Sequence, residues 1–403
     1  MKDFLVSVAV PTYNRQKYAE ATVRQIENMG DDIQIVITDN STDDSLGRRI
    51  SDICDGNRVK YIYTPLKMAV VENYDKAAKN SDGEFFISIG DDDILLKSVI
   101  RLAKWMKNNN VDAVRTSRSS VYSWPSDDRI SNGLLALGPF SGEMIKIDPY
   151  DATLNTLKKG CQSYMELDMI GTYHEIASMD LMRKAYNICG YYYSGLSPDI
   201  YSSTVLSLMP NIKAYKFDYP ISIPGFCPNS ATFRGKKGVA VSTVEDAIKK
   251  YGKPGLAWDS KVPRFYMPQT TWAVSMIQAV KDMGKEDLLE RYFDKAYLIN
   301  ACCNYQGGIH KDKLMEYLTN EEKTLIDEEV DTSFTDNDRS VLGTVFRKVS
   351  TVYHLIKKDK FRTTNVKNSR IAADLSNEFL ESKTIKKNVE FLYCSEELKN
   401  EKK

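Results

Sequence analysis

Four apolar runs in the first ninety residues constrain this chain more than any other feature. Residues 5–10, 33–38, 59–63 and 85–89 are short and rich in β-branched or aromatic side chains, and helical spacing fills the gaps at 18–29, 46–54 and 70–79. Consecutive strands joined by helical crossovers run parallel, because a parallel pair needs a connection of a dozen or more residues. The expected fold is α/β: a doubly wound, mainly parallel sheet with helices on both faces. In such sheets ligands bind beyond the carboxyl ends of the strands. The polar clusters fall at those ends: Pro11-Thr12-Tyr13-Asn14-Arg15 after the first run, Asp39-Asn40-Ser41-Thr42 after the second, Gly90-Asp91-Asp92-Asp93 after the fourth.

The remaining 300 residues change character twice. Residues 95–107 carry one more helical pattern, and 116–142 then lose periodicity and collect Ser, Pro, Asp, Asn and Gly, which reads as a long loop, either functional or disordered. Residues 150–225 are mixed, with strand-like runs at 212–217 and 221–223. After Gly225 helical periodicity dominates, at 244–251, 271–283, 285–300 and 311–318. The expected division is an α/β domain over 1–225, a helical extension over 226–330, and an acidic linker with a basic amphipathic helical tail over 331–403. Between 321 and 340 eight acidic residues face two basic ones; between 341 and 370 eight basic residues face one acidic. The basic helix outlined at 341–362 has two readings. It could lie on an anionic membrane surface, or it could pack on the acidic stretch before it or against a second subunit.

Composition excludes several classes. Fifty-five Lys plus Arg balance 55 Asp plus Glu, so no global field draws the chain to nucleic acid. No run approaches 18 apolar residues, and the start reads as a strand and not as a signal peptide. Seven scattered cysteines without a CxxC pair argue against a disulfide framework or a zinc site, and point to a cytoplasmic protein.

Three carboxylates in a row just past a buried strand repel one another unless a cation is present, and Mg²⁺ or Mn²⁺ takes such oxygen ligands. The alternative is a solvated turn whose aspartates suit the following helix dipole. Asp199, in Ser197-Pro198-Asp199, stands before an apolar periodic run, where it can cap a helix, act as a base, or do both.

Taken in order, VSVAVPTYNR, IQIVITDNSTDD and ENYDKAAKNSDGEFFISIGDDDIL resemble the GT-A glycosyltransferases, specifically the large inverting family 2. The resemblance is strong over residues 5–100 and weak over 100–225. It implies a GT-A sheet, with 1–225 as the nucleotide-sugar-binding catalytic domain, followed by a mostly α-helical C-terminal region. It also implies transfer of a hexosyl or N-acetylhexosaminyl unit from a nucleoside diphosphate sugar, UDP-linked in most members, to a hydroxyl of a growing bacterial surface glycan such as O-antigen, capsule or teichoic acid. The implied nucleotide-sugar contacts are Pro11, Tyr13, Arg15, Asp39, Asn73, Asp91 and Asp92. The implied metal ligand is Asp93, holding Mn²⁺ or Mg²⁺, and the implied base is Asp199, with Glu166, Asp168, Glu175 and Asp180 as competitors. One departure is Gly90, where many members carry the first Asp of Asp-x-Asp-Asp, which shifts the register of the motif. The implied acceptor is a glycan or lipid-linked glycan, with the protein peripheral at the inner face of the membrane, or self-associated through its tail.

Further candidates have plainer alternatives. Tyr164, Tyr173 and Tyr191-Tyr192-Tyr193 could stack on sugars or pack in the core. His174 is expected near the acceptor, Trp124 is expected as an exposed acceptor contact, and Arg234, Lys236 or Lys237 could close over a pyrophosphate or belong to a solvated loop. A sugar-phosphate nucleotidyltransferase should carry a Gly-rich phosphate loop after the first strand, and Pro11 to Arg15 contains no glycine. A polysaccharide-binding scaffold with a decayed site is the remaining alternative.

Overall fold

The computed structural model describes residues 4–65, 68–126, 132–228, 243–308, 310–327 and 360–393. Its centre is an eight-stranded sheet in the order β3-β2-β1-β4-β10-β6-β11-β9. The strands are β1 (Val6–Thr12), β2 (Ile33–Asp39), β3 (Val59–Tyr63), β4 (Phe85–Ser88), β6 (Ala113–Thr116), β9 (Met144–Ile147), β10 (Ile176–Ser178) and β11 (Ala214–Phe217). β1 to β4 are mutually parallel, whereas β10 runs antiparallel between β4 and β6, and β9 runs antiparallel to β11. The sheet is therefore mixed beyond β4. Chain order reverses at β1, whose neighbours are β2 and β4, so the crevice at the carboxyl ends of these strands is a topological switch point.

Strand alternation sorts side chains onto two cores. Val6, Val8 and Val10 with Ile33, Ile35 and Ile37 face helices α1 (Gln16–Glu27), α2 (Ser45–Arg49) and α4 (Ser98–Asn109). Ala9, Val36 and Phe86 face the other way, toward α3 (Val70–Lys79), α5 (Pro149–Lys158), α6 (Met179–Cys189) and α7 (Pro198–Ser207). The helices of residues 244–323 add to this second core through Met276, Ile277, Val280, Leu298, Ile299 and Leu314.

Several expectations are corrected here. The aperiodic stretch 116–142 is only partly loop. Ser120–Ser123 (β7) and Leu134–Leu137 (β8) form a hairpin in a second sheet, of order β13-β7-β8-β14, with β13 being Gly225–Phe226 and β14 Phe361–Thr363. The helical pattern over 285–300 is interrupted, because Asp294 accepts from the Tyr297 amide at 2.8 Å and so caps a new helix, Lys295–Asn304. The pattern over 46–54 is helical only to Arg49. Within the region 331–403, Val366, Ala372, Ala373, Leu380, Val389 and Leu392 belong to the core on the α1 and α4 face. Of the basic helix outlined at 341–362, residues 341–359 lie outside the described residues, and Phe361 and Arg362 are strand. The basic loop with Arg234, Lys236 and Lys237 also lies outside them.

Candidate active site

The carboxyl ends of β1 and β2 are pinned together by side chains. In register, Thr12 pairs with Asp39. Asn73 on α3 is buried and donates from Nδ2 to Thr12 O (3.3 Å), Thr38 O (3.2 Å) and Asn40 Oδ1 (3.2 Å), so it clamps the two strand ends. Pro11 is buried within β1. Past it the chain turns at Asn14, whose φ of 54° is left-handed and suits asparagine. The Asn14 amide donates to Ser41 Oγ at 2.7 Å and its Oδ1 accepts from the Thr42 amide at 2.9 Å, which leaves the Tyr13 ring outside the loop, 55% exposed. Asp39 is fully buried and accepts from the Ser41 amide and Tyr61 Oη, both at 2.8 Å. Burial and the Asp39 carboxylate push the Tyr61 phenol upward, so it remains a donor.

The three aspartates behind β4 are all buried, and each has a different role. Asp91 accepts from Thr12 Oγ1 (2.5 Å) and Arg15 Nε (3.1 Å), and it also contacts Arg15 Nη2. Asp92 lies 3.3 Å from Arg15 Nη1 and accepts from the Cys227 amide at 3.1 Å. One guanidinium thus spans two carboxylates, which raise it above its usual range against the effect of burial. Burial pushes the Asp91 carboxyl up to about 7, with Arg15 opposing and Asp92 and Asp93 adding to the rise. Asp92 is raised as well, by burial first and by Asp93.

Asp93 is the inward-facing member. Its Oδ2 accepts from the Gly90 amide (2.5 Å) and Tyr173 Oη (3.3 Å), with His174 Nε2 at 3.2 Å, and its Oδ1 accepts from the Gly225 amide (2.6 Å). Burial would raise it, but the imidazole and the two glycine amides outweigh burial and hold it below the carboxylate range. Gly225 is required there, since a Cβ would stand 1.8 Å from Asp92 O. His174 Nδ1 is in turn 2.9 Å from Ser222 Oγ.

Trp124, expected to be exposed, is 4% exposed. It donates from Nε1 to Asp92 O at 2.7 Å and packs edge-on against Tyr18. Its role is to brace the aspartate run from below.

Residues 172–174 extend the edge beside β4, with the Ser88 amide donating to Thr172 O at 2.7 Å and the His174 amide to Ser88 O at 3.1 Å. Tyr173 is thereby placed between the aspartates and a cleft lined by Arg118, Tyr164, Gly171, Glu175, Asp199 and Ser203. Asp199 stands in the first turn of α7 and accepts from Tyr164 Oη (2.9 Å) and Ser197 Oγ (2.5 Å). Among its competitors, Glu175 lines the same cleft and pairs with Arg118 at 3.0 Å, whereas Asp168 pairs with Lys216 and Asp180 with Lys184. Tyr193 is buried and bonded to Thr172, so it is a core residue. Spacing gave no sign of Arg118, which lies in the aperiodic stretch, or of Cys227, which is 135 residues from Asp92.

Carboxylate oxygens are the hard donors that Mg²⁺ and Mn²⁺ take, often two from protein with the rest from phosphates. Asp91 and Asp92 fit this, being two buried carboxylates against one guanidinium. Among the described residues no group of three or more His, Cys, Asp or Glu side chains forms a ready-made metal cage.

The family model described as Glycosyl transferase family 2 matches residues 7–159. The GalNAc(5)-diNAcBac-PP-undecaprenol beta-1,3-glucosyltransferase of Campylobacter jejuni is 30% identical over 156 residues, 35% of this chain and 50% of that protein. The chain therefore spans about half the length of the curated relative it matches. Among solved structures, S. aureus TarS 1-349 in complex with UDP-GlcNAc is similar with a TM-score of 0.46 at 14% identity, covering 93% of this chain and 91% of that one. The mannosyltransferase PcManGT from Pyrobaculum calidifontis, in complex with GDP-Man and Mn2+, has a TM-score of 0.36 at 13% identity, covering 95% and 89%. The matched segment runs from β1 through α5 and includes Tyr13, Arg15, Asp39, Asn73 and all three consecutive aspartates, and by it the chain carries a glycosyl transferase family 2 domain.

Proposed function

We propose that the chain is an inverting glycosyltransferase that moves a sugar from a nucleoside diphosphate sugar to a hydroxyl of a bacterial surface glycan carried on a lipid. The observation that carries this reading is Tyr173, which donates from its hydroxyl to Asp93 and also lines the cleft of Asp199. A nucleotide half and a carboxylate-bearing half thus share one wall, the arrangement a group transfer between two bound molecules requires. The curated relative's lipid-linked acceptor supports the choice of acceptor.

In this reading Tyr13 offers its exposed ring to the base, and Asp39 accepts from the imide of a uracil. Asp91 and Asp92 would hold a divalent cation, which would supply positive charge to the leaving diphosphate. Asp93, the expected metal ligand, is held by the backbone amides of Gly90 and Gly225 and by Tyr173, whereas Asp91 and Asp92 share one displaceable guanidinium; in this reading Asp93 fixes the aspartate run to the segment 222–227. Arg15 neutralises the pair and would serve the phosphates of the donor. Asp199 takes the proton of the acceptor hydroxyl as its oxygen attacks the anomeric carbon, and the bond from that carbon to the diphosphate oxygen breaks on the opposite face. A carboxylate base is worth about 10²–10⁴ in rate.

The protein is placed at the cytoplasmic face of the membrane, where a lipid-linked acceptor is presented. No helix among the described residues is long and apolar enough to cross a membrane. The test is calorimetric titration with UDP, dTDP, GDP and CDP, each with Mn²⁺ and again with chelator. Binding of one diphosphate only in the presence of metal is the expected result; binding of none overturns the reading.

A further inference from the structure

The turn that carries Asp91 to Asp93 is gripped from outside the main sheet. Trp124 Nε1 donates to Asp92 O (2.7 Å), the Cys227 amide to Asp92 Oδ2 (3.1 Å) and the Gly225 amide to Asp93 Oδ1 (2.6 Å). All three donors belong to the second sheet: Trp124 directly follows β7, Gly225 opens β13 and Cys227 directly follows it. The Trp124 amide also donates to Phe226 O at 3.0 Å, which ties the ends of β7 and β13 together. Adjacent buried carboxylates repel one another, so the placement of their oxygens depends on donors that do not move with them.

The second sheet is itself slight. β13 has two residues and β7 and β8 four each, and a short hairpin of this kind is marginal by itself. The far end of the chain completes it. β14 pairs antiparallel with β8, with Phe361 opposite Leu137 and Thr363 opposite Leu135. Beyond β14 the pairing continues: the Asn365 amide donates to Asn132 O (2.8 Å) and the Val366 amide to Gly133 O (3.0 Å). A Cβ on Gly133 would stand 2.1 Å from Val366 O, so the approach needs a glycine. Tyr122, on β7, donates to the same Val366 O at 3.1 Å. It is fully buried, so water does not replace that partner. The rings of Tyr122 and Trp124 meet at 5.2 Å, so adjoining side chains make the contact with Val366 and the contact with Asp92.

We propose that the second sheet positions the aspartate run, and that β14 with the residues after it sets the sheet. Tyr122 and Trp124 are the positioning residues: Tyr122 fixes β7 to the C-terminal segment, and Trp124 fixes Asp92 to β7. Such coupling is reciprocal, so loosening one contact loosens the other, and occupancy of the run tightens both. What occupies the run rests on the glycosyltransferase reading; the coupling does not.

Hydrogen exchange of the full chain without ligand tests the coupling. Tyr122→Phe removes the hydroxyl at Val366 O, and Trp124→Phe removes the N–H at Asp92 O while keeping a ring. Trp124→Phe should raise exchange at 361–366, and Tyr122→Phe at 225–227, each by about 2–10-fold, the effect of one buried hydrogen bond. The helix Val244–Tyr251 should be unchanged in both. Unchanged exchange at either distant segment overturns the proposal, and Tyr122→Phe, the milder change, decides alone if Trp124→Phe does not fold. Calorimetry with UDP and Mn²⁺ then reads the site. Tyr122→Phe should weaken binding about 2–10-fold. Glu322→Gln, which removes an ion pair with Lys295 beside Leu318 of the other core, should leave binding unchanged. Equal weakening in the two variants, or none in Tyr122→Phe, overturns the positioning role. A parent chain that binds neither UDP nor Mn²⁺ defeats the glycosyltransferase reading, and the exchange result then decides the coupling by itself.

Discussion

Arg15 carries the largest electrostatic burden of any single residue in the site. It neutralises Asp91 and Asp92 together, and it stands where an incoming divalent cation would compete with it. Breaking a buried ion pair from one side costs about 3–5 kcal/mol, because the carboxylates are left unpaired. Arg15→Gln should therefore lower the melting temperature without metal and show a larger Mn²⁺-induced rise than the parent chain. Equal rises in a thermal-shift titration would mean that the cation does not bind at Asp91 and Asp92. Asp199→Asn makes the complementary prediction: nucleotide affinity unchanged by calorimetry, turnover reduced by about 10²–10⁴. Normal turnover would remove Asp199 as base. Asp39, Asp91 to Asp93 and Asp199 were legible in the sequence because each follows a recognisable strand or precedes a recognisable helix. The inward role of Asp93 was not, since its decisive partner, the Gly225 amide, is 132 residues away. Glu175 was visible only as one carboxylate among several, because Arg118, the residue that gives it meaning, sits where no periodicity exists.

At the scale of elements, β-branched runs 59–63 and helical spacing 70–79 and 244–251 coincide with the observed β3, α3 and the helix Val244–Tyr251. Local sequence decides such elements. β14 could not be read this way: three residues, Phe361 to Thr363, become a strand only because β8 offers an edge, with Phe361 opposite Leu137. The helix Ser369–Leu380 then docks beside α1 and α4, where Lys97 N donates to Asn377 Oδ1 (3.2 Å), Arg101 pairs with Glu381 (3.0 Å) and Tyr219 Oη donates to Leu380 O (3.3 Å). Leu380→Ala should cost about 2–5 kcal/mol by denaturant titration, the range for a buried leucine; a loss below 1 kcal/mol would mean the docking is superficial. A second element offers a pH test. In the short helix Asn320–Lys323, Glu322 Oε2 accepts from the Thr319 amide (2.9 Å) and Oε1 meets Lys295 (2.8 Å). Burial opposes, but Lys295 and the Thr319 amide outweigh it and lower the Glu322 carboxyl from its ordinary 4.5. A depressed folded value means the stabilisation is full above about pH 4.5 and is lost as pH falls through the folded value. Glu322→Gln should lose about 1 kcal/mol at pH 7, and the gap to the parent chain should close in acid. A gap independent of pH would rule out the charge as its source.

Across the whole molecule one sheet serves two cores. The helices of residues 244–323 pack on α7, α5 and α3, which cover the face of Ala9, Val36 and Phe86, and residues 366–393 pack on α1 and α4, which cover the face of Val6, Val8 and Ile35. Neither attachment can leave without exposing the apolar outer sides of the helices that cover the sheet, so the chain should unfold as one unit despite its length. Ile277→Ala, in the helix Pro268–Asp282, and Leu380→Ala are on opposite faces, and both side chains are buried. Each should shift the same single transition, seen alike by far-ultraviolet circular dichroism and intrinsic fluorescence, and the double variant should add the two losses because the sites share no partner. Two transitions, with one variant moving only one of them, would show that a lobe folds independently. The site occupies the edge where both faces meet: Asp199 comes from α7 on one side, while Trp124 braces Asp92 from the other. Nucleotide with Mn²⁺ should therefore stabilise the whole transition, by about 2.7 kcal/mol at 100 times Kd. Loosening either face should weaken nucleotide binding even though neither Ile277 nor Leu380 is a contact residue in the proposed site.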